Sequence, residues 1–439
     1  NTTYTLNFGK GLVDYNEGNP IVNYTYVFAT GAELDSLSIS GNVKNGFTKS
    51  FDSKTDENIK VLLIPTRQDS IFGKRKANIF VNVDTSGNFK FSNLRADTYR
   101  IYALKEQNND RIFNGNDEWL GFLNDSLILD NDISGIKLEI TKGKPKAFKT
   151  VERKVEKNGS LLLTFNTQLV DPKVAILFPT DLASTSITKF NAENDSAFIY
   201  VENKPLDSIK VEISDQGTIL DTLMIRTNKN LKFDRELRPI LNITNKVDLV
   251  KHIQISSTTP IAGIDKNKLI LTEDSIPRRN FQLQQDSVNT NLYHVRFNWK
   301  AKRNYELTIQ ESAILSPFKD SNKELVTKFT LNESDNYGDI KFLINGLDPQ
   351  QQYIVELIDE KKEKVYDKRI IPLGENTLAY TKFPGGKYSL RIIYDSNKNG
   401  RWDGADVYEN KQAEHIWYLN KTFTIRANWE QNETINVAP

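Results

Sequence analysis

The stretch YDSNKNGRWDGADV, Tyr394 to Val407, holds the side chains in this sequence whose spacing best suits chemistry. Oxygen-bearing residues alternate at Asp395, Asn397 and Asn399, a glycine follows at Gly400, and Asp403 and Asp406 close the run. Calcium is a hard cation that takes roughly six to eight oxygen ligands, and a loop offering them at positions 1, 3, 5, 7, 9 and 12 wraps them around one point. Those positions fall here on Asp395, Asn397, Asn399, the carbonyl of Arg401, Asp403 and Asp406, with Gly400 at position 6, where the chain must turn sharply. The spacing predicts a Ca2+ site of modest affinity, because only Asp395, Asp403 and Asp406 bring charge. The competing reading is a metal-free polar turn, since Asn and Asp favour turns by bonding their own backbone.

A second stretch carries the same pattern less well. Glu106, Asn108, Asp110, Asn114 and Asp117 occupy positions 1, 3, 5, 9 and 12, but position 6 is Arg111, which loses the glycine turn and adds a positive charge. It predicts a weaker Ca2+ loop. In both loops the expected role is structural: an ion would offset the entropy of ordering a long connection.

Little else points to catalysis. The three histidines, His252, His294 and His415, are far apart in the chain, and no metalloprotease, serine-hydrolase or P-loop motif accompanies them. Each is read as an ordinary sheet residue. The adjacent acidic pairs Asp56-Glu57, Asp117-Glu118, Glu273-Asp274 and Asp359-Glu360 would point to opposite faces of a strand, so adjacency makes no acid–base pair. With no cysteine, the chain has no disulfide, thiol nucleophile or thiolate-bound zinc. Lys+Arg 58 balances Asp+Glu 57, unlike the basic excess of a nucleic-acid binder. No apolar run reaches the ~18–20 residues that span a bilayer. The expectation is a non-enzymatic protein.

The tripeptide Asp-Ser/Thr-aliphatic recurs, with its hydroxyls at Ser36, Ser70, Ser126, Ser196, Ser208, Thr222, Ser275 and Ser287. Average residue usage would give about two such sites. Either Asp-Ser ends turns before an aliphatic strand start, or the hydroxyls accept glycans. Among the aromatics, Trp402 lies inside the first loop described, where an exposed ring would anchor a sugar or protein. Trp417 and Trp429 lie in the closing strands, and Trp429 is expected to pack across a sheet because it alternates with Phe423, Ile425 and Ala427.

These residues must be positioned by strands. YTLNF (Tyr4 to Phe8), NFKFSNL (Asn88 to Leu94), FIYVEN (Phe198 to Asn203) and YHVRFNW (Tyr293 to Trp299) alternate apolar and polar residues, one side buried and one wet. Turn signals such as DTSGN and FPGGK separate them. Helical periodicity is scarce, so the fold class is all-β: tandem β-sandwich modules in an elongated string. Two internal repeats order them. Tyr4, Leu6 and Phe28 match Tyr305, Leu307 and Phe329 at one offset of 301, and Tyr99 and Asp117 match Tyr388 and Asp406 at one offset of 289.

The Tyr-x-Leu strand with its Phe-Thr strand end resembles the last half of an S-layer-type bacterial Ig-like domain. SISGNV (Ser38 to Val43), followed by GNFKFSNLRADTYRIYAL, resembles a carboxypeptidase-regulatory or Cna-B-like (prealbumin-like) sandwich. The glycine usual before its Tyr is absent in the first copy (Thr98) and displaced to Gly385-Gly386 in the second. Asp rather than Glu at position 12 resembles dockerin-type calcium loops. Together these features resemble the Ig-like domain-containing outer-membrane lipoproteins of the Bacteroidota. The resemblance covers about the first 120 and last 140 residues and specifies fold more firmly than function.

The expected domains are 1–33, the C-terminal part of an Ig-like domain; 34–143, Cna-B-like; 144–242, Ig-like; 243–332, Ig-like; and 333–439, Cna-B-like with the calcium-type loop. The resemblance implies an outer-membrane, cell-surface location with a periplasmic face as the alternative, and glycosylation at the Asp-Ser/Thr sites. It implies a lipid anchor on an N-terminal segment not contained in this sequence. It also implies partners among outer-membrane β-barrels or other envelope proteins, and none among nucleic acids. The leading functional expectation is a scaffolding subunit of an outer-membrane assembly or secretion complex; the alternative is a glycan-binding or adhesin-like surface lipoprotein.

Overall fold

A computed structural model describes the chain except residues 1–2, 9–10, 20–23, 107, 116–117, 203–206, 228–235, 244–245, 248–251, 288, 332–335 and 438–439. The described residues form strands joined by turns and a few short 3-10 segments, and no helix among them is long and apolar enough to cross a membrane. The fold is all-β, built of sandwich modules. It divides into two compact units: Asn1–Lys146, Asp348–Glu375 and Ser389–Lys421 form one, and Ala147–Leu347, Asn376–Tyr388 and Thr422–Pro439 the other. The strands of the stretch 333–439 are thus shared between the units.

The first unit opens on a hairpin, Thr3–Asn7 paired with Thr25–Ala29. A sandwich follows, whose strands run in the order Ile79–Asn82, Ile59–Pro65, Asp97–Lys105, Trp119–Phe122, Ile133–Lys142, Leu37–Asn45, Asn88–Leu94. Ile133–Lys142 lies parallel to Leu37–Asn45 and turns antiparallel onto Trp119–Phe122 at its end. NFKFSNL behaves as its alternation requires, burying Phe89, Phe91 and Leu94 and exposing the residues between Asn88 and Ser92 that interleave with them.

IKVLLIP (Ile59–Pro65) does not alternate, and the structure explains it. Ile59, Val61 and Leu63 fill one core with Tyr99, Ile101 and Ala103. Leu62 and Ile64 fill a second core, on the opposite face, with Tyr102 and Leu104. A strand covered on both faces reads as a continuous apolar run. In the same unit Val365–Ile371, Gln352–Ile358, the Ser389–Asp395 part of strand Gly386–Asp395, and Ile416–Tyr418 pair in that order, and Gln352–Ile358 is likewise buried on both sides.

The second unit contains a sandwich of Thr150–Val155, Leu161–Phe165, Ser196–Tyr200 and Ile187–Phe190 against Pro172–Phe178, Ser208–Asp215 and Thr218–Arg226. It also contains a second sandwich with one core built around Ile253, Ile255, Val295, Tyr305 and Leu307. A third sheet sets Tyr337–Asn345 antiparallel to Thr377–Pro384 and parallel to Glu430–Asn436. The repeat partners Tyr99 and Tyr388 do the same job in their own sandwiches: each donates its hydroxyl, at 2.9 Å, to the carbonyl four residues back, Arg95 and Pro384.

Candidate functional site: two homologous loops and a joint

The loop after Gly386–Asp395 is built on side-chain bonds to its own backbone. Asp395, fully buried, accepts the N–H of Asn399 at 3.0 Å and of Gly400 at 2.7 Å, and the Gln352 side-chain amide at 2.7 Å. Asn397 Oδ1 accepts the N–H of Asn399, and Asn399 Oδ1 accepts that of Arg401. Gly400 takes φ +77, the left-handed turn that position 6 requires. Asp403 Oδ2 accepts both the Asn397 and Asn399 amides, so the side chains at positions 3, 5 and 9 gather, with position 1 turned to the same backbone.

Asp406 behaves differently. Its Oδ1 caps the N–H groups of Tyr408 and Glu409 at 2.8 and 3.3 Å. The carboxylate that grips the loop instead is Glu414, which sequence reasoning missed. It is buried, and accepts the Ser396 N–H and hydroxyl at 2.7 and 2.8 Å and the Asp403 N–H at 3.0 Å. Among the described residues no group of three or more His, Asp or Glu side chains stands ready to hold an ion. A fit to Ca2+ would fall to Asp395, Asn397, Asn399, Asp403 and the Arg401 carbonyl, but Asp395 Oδ2 and Asp403 Oδ2 each already accept two N–H groups and Asp403 Oδ1 lies 3.5 Å from the Arg401 guanidinium, so an ion would have to displace some of these bonds.

The first-copy loop solves the same problem with a protein cation. Glu106, at position 1 and buried, receives the Lys60 ammonium at 2.9 Å, and that ammonium also donates to Asn109 Oδ1 at 2.5 Å. Asp110 Oδ2 accepts the amides of Asn108 and Asn114 at 2.9 and 3.1 Å. Burial would raise its carboxyl, but hydrogen bonds from Asn114, the Ile112 N–H and Asn108 outweigh it and hold Asp110 below the ordinary carboxylate range. Glu118 Oε2 accepts the Asn114 N–H at 2.8 Å, as Glu414 does at the repeat position Asp403. Arg111 takes φ +60 without glycine's freedom, its guanidinium 4.3 Å over the Phe80 ring. Asp117 lies outside the described residues.

The second loop is not free. Ala405 N–H donates to the buried Thr141 Oγ1 at 2.9 Å, and Ala405 joins the outer core of the first sandwich, with Val407 and Ala413 packed beside it. Gln412 donates to the Phe122 carbonyl at 3.0 Å. In return Phe47 of the first sandwich reaches the core of Ile354, Ile358, Ile393 and Ile416. Its ring lies between Trp402, edge-on at 5.0 Å, and the Arg391 guanidinium at 4.3 Å, while its carbonyl accepts the Tyr418 hydroxyl at 2.6 Å. Arg391 is itself paired with the buried Glu356. The loops join two sandwiches.

Two expectations about tryptophan are corrected. Trp402 is no open sugar platform: its Nε1–H donates to the Glu414 carbonyl at 2.9 Å and its ring is wedged on Phe47. Trp429, expected inside, is 57% exposed. The strand ends at Ile425, and the turn through Ala427 and Asn428 (φ +59) resets the parity. The Arg426 guanidinium lies 5.3 Å over the Trp429 ring.

Of the histidines, His252 and His294 come together, ring centroids 6.5 Å apart, with His294 Nε2 3.0 Å from Asp286. Burial, then Arg296 and His294, push the His252 ring down from its ordinary value. His415 stands edge-on to Tyr394 at 4.7 Å. Burial lowers its proton affinity first, and Lys49 second. Ser36, Ser70, Thr222, Ser275 and Ser287 are exposed, and Ser126, Ser196 and Ser208 half-buried.

No family model matches the chain, and no curated protein matches it. Solved structures with some similarity include a surface glycan-binding protein of Bacteroides ovatus in complex with a mixed-linkage heptasaccharide, 9% identical, covering 81% of this chain and 90% of that one at TM-score 0.22. The major pilin subunit BcpA of Bacillus cereus is 9% identical over 92% of this chain and 99% of its own, at TM-score 0.16. A putative carbohydrate-binding protein of Bacteroides uniformis is 12% identical over 44% of this chain and 100% of its own, at TM-score 0.15. Scores of this size establish no common function.

Proposed function

We propose that the chain is a non-enzymatic, adhesin-like protein of the bacterial cell surface, which holds binding faces at fixed positions. The observation that supports this reading is the joint in the first unit. The loop with the most chemistry in the sequence is spent on fastening one sandwich to another, through Ala405, Gln412, Trp402 and Phe47. A loop so used is a structural part. Calcium belongs to the same reading: bound by Asp395, Asn397, Asn399, Asp403 and the Arg401 carbonyl, it would stiffen the loop that makes the joint. In the first-copy loop Lys60 already supplies the charge. The envelope location, a lipid anchor and glycans on the Asp-Ser/Thr hydroxyls follow the lipoprotein resemblance.

The test is retention of the purified chain on immobilised bacterial and plant polysaccharides and on whole cells, beside a pull-down from mild-detergent membranes. Retention that weakens when the exposed Trp429 is changed to Ala supports a glycan-binding adhesin. No retention, together with a stoichiometric outer-membrane partner in the pull-down, refutes it in favour of a scaffolding subunit.

A further inference from the structure

Asp406, the last position of the calcium-type loop, uses its bonds to build a turn. Its Oδ1 holds the N–H groups of Tyr408 and Glu409, and its backbone pairs with Lys411 in both directions at 2.8 Å. The turn presents Tyr408, 51% exposed, and Asn410, whose φ of +52 is one that asparagine tolerates. Across from them lie Asp69 and Ser70 of the short segment Thr66–Ile71, with a cavity of about 440 Å3 between. All of its lining belongs to the first unit. Small-ligand pockets run from roughly 300 to 1,000 Å3.

The cavity is aromatic inside and charged at its rim. Tyr102, Phe72, Phe113 and Tyr408 follow one another as a run of rings, with centroids 4.1, 5.5 and 6.1 Å apart. Tyr102 and Phe122, both buried, and the half-buried Phe72 line it together with the open ring of Tyr408. At the rim Asp69, Lys74 and Asn410 are exposed and Arg100 is half-buried. Asp69 Oδ1 accepts the Tyr102 hydroxyl at 3.4 Å. Burial, then Asp69, raise that phenol well above its ordinary range, so it stays a donor. Arg100 donates one N–H to the Asn124 carbonyl at 2.7 Å, and its fork has further donors. The Lys146 ammonium lies 4.8 Å from the Tyr408 ring. Lys74, Arg100 and Lys146 thus outnumber Asp69, the one carboxylate of the lining.

We infer that this cavity binds a short acidic saccharide, one that bears carboxylate or sulfate groups. The inference rests on the adhesin reading and names a ligand class for it. A sugar ring has an apolar face of C–H groups, which an open aromatic ring covers, and an edge of hydroxyls that must find donors and acceptors. Tyr408 offers the ring. Asp69 and Asn410 offer acceptors, and Asn410, Arg100 and Lys74 offer donors. The excess of cations calls for negative charge, which a guanidinium fork and an ammonium meet with charge-assisted bonds. A purely apolar ligand would bury this rim without partners. The turn that carries Tyr408 leads directly to Gln412, which is bonded to the Phe122 carbonyl at 3.0 Å. The ligand would therefore be held between parts of two sandwiches that the joint keeps in register.

The experiment measures binding of the full chain to polygalacturonate, to heparin and to neutral dextran, at about 0.15 M salt. The expected result is binding to at least one acidic polymer and none to dextran. Tyr408→Ala and Lys74→Gln should each weaken that binding at least about tenfold, with melting close to wild type because both side chains stand in solvent. Tyr408→Ala removes no charge, so binding that it leaves intact is ion exchange and overturns the inference. Binding to dextran as strong as to the acidic polymers overturns it, and so does no binding to either acidic polymer. Polyglutamate that competes as well as free trigalacturonate would assign the cavity to an acidic peptide and overturn it too. Polysaccharide binding that depends on Trp429 and not on Tyr408 overturns this inference and leaves the adhesin reading standing. No retention on any polysaccharide or on whole cells removes both.

Discussion

Gly404→Ala is the sharpest probe of the joint. A methyl group built on Gly404 falls 2.1 Å from the Lys142 carbonyl oxygen, 3.1 Å from that carbonyl's carbon and 3.3 Å from Thr141 Oγ1. An ordinary carbon–oxygen contact is about 3.3 Å, so the loop must back away by about 1 Å. The obstacle is backbone, and no rotamer change relieves it. The φ of Gly404 lies outside the left-handed region, so alanine puts no strain on the loop itself. The retreat pulls the Ala405 N–H from its 2.9 Å bond to Thr141 Oγ1, worth about 1 kcal/mol. Overpacking adds about 1–3 kcal/mol. A total of about 2–4 kcal/mol corresponds to a fall of roughly 5–10 °C in the melting of the first unit. Scanning calorimetry reads that shift, and limited proteolysis across Lys142 to Thr150 reads the loosened joint. Gly404→Ala with wild-type melting and wild-type cleavage would refute the claim that this loop fastens the two sandwiches.

Three further outcomes follow from single residues. Calcium at 100 times its dissociation constant should stabilise the first unit by about 2.7 kcal/mol, and Asp403→Asn should remove most of that gain; a flat isothermal titration at millimolar calcium, with no melting shift, sinks the metal reading. Lys60→Met strips the cation from Glu106, whose side chain is 1% exposed, and should cost about 3 kcal/mol. Adding Glu106→Gln should recover most of it, and a double variant as unstable as the single one would refute the pairing. Burial holds the Lys189 amine down at about 8, against an ordinary 10.5. The unfolded chain therefore keeps a proton that the folded chain has released, and stability climbs between pH 8 and 10.5. Lys189→Met should flatten that climb, and parallel melting curves for the two proteins would show that Lys189 is not its source.

Strands and repeats were legible because each is local. NFKFSNL alternates because its own sheet has one wet face, and Tyr99 and Tyr388 each donate to the carbonyl four residues back because a similar short turn precedes both. The loop positions Asp395 to Asp403 were legible for the same reason, as Asx bonds reach only two to five residues along the chain. What failed was long-range. IKVLLIP could not declare that its second face meets residues from beyond position 400. Glu414 lies well past the loop template, and no local pattern separates it from a surface glutamate. Trp429 was misplaced because a two-residue turn reset a parity that had held through Ile425.

The two loops also show how a repeat can diverge without losing its shape. Each must hold a buried carboxylate at the end of a core strand, Glu106 in one and Asp395 in the other. A buried carboxylate is tolerated only when its charge is answered. In the first copy Lys60 answers it with an ammonium that also grips Asn109, so position 6 is free to become Arg111. In the second, backbone N–H groups and the Gln352 amide answer it with dipoles alone. Dipoles leave the negative charge in place, so the second loop keeps the glycine, the two asparagines and Asp403 gathered beside it. On that reasoning a divalent cation has something to gain in the second loop and little in the first. Asp395→Asn, which removes the charge and keeps the shape, should abolish any stabilisation by calcium, and a calcium response that survives the substitution would separate the ion from Asp395.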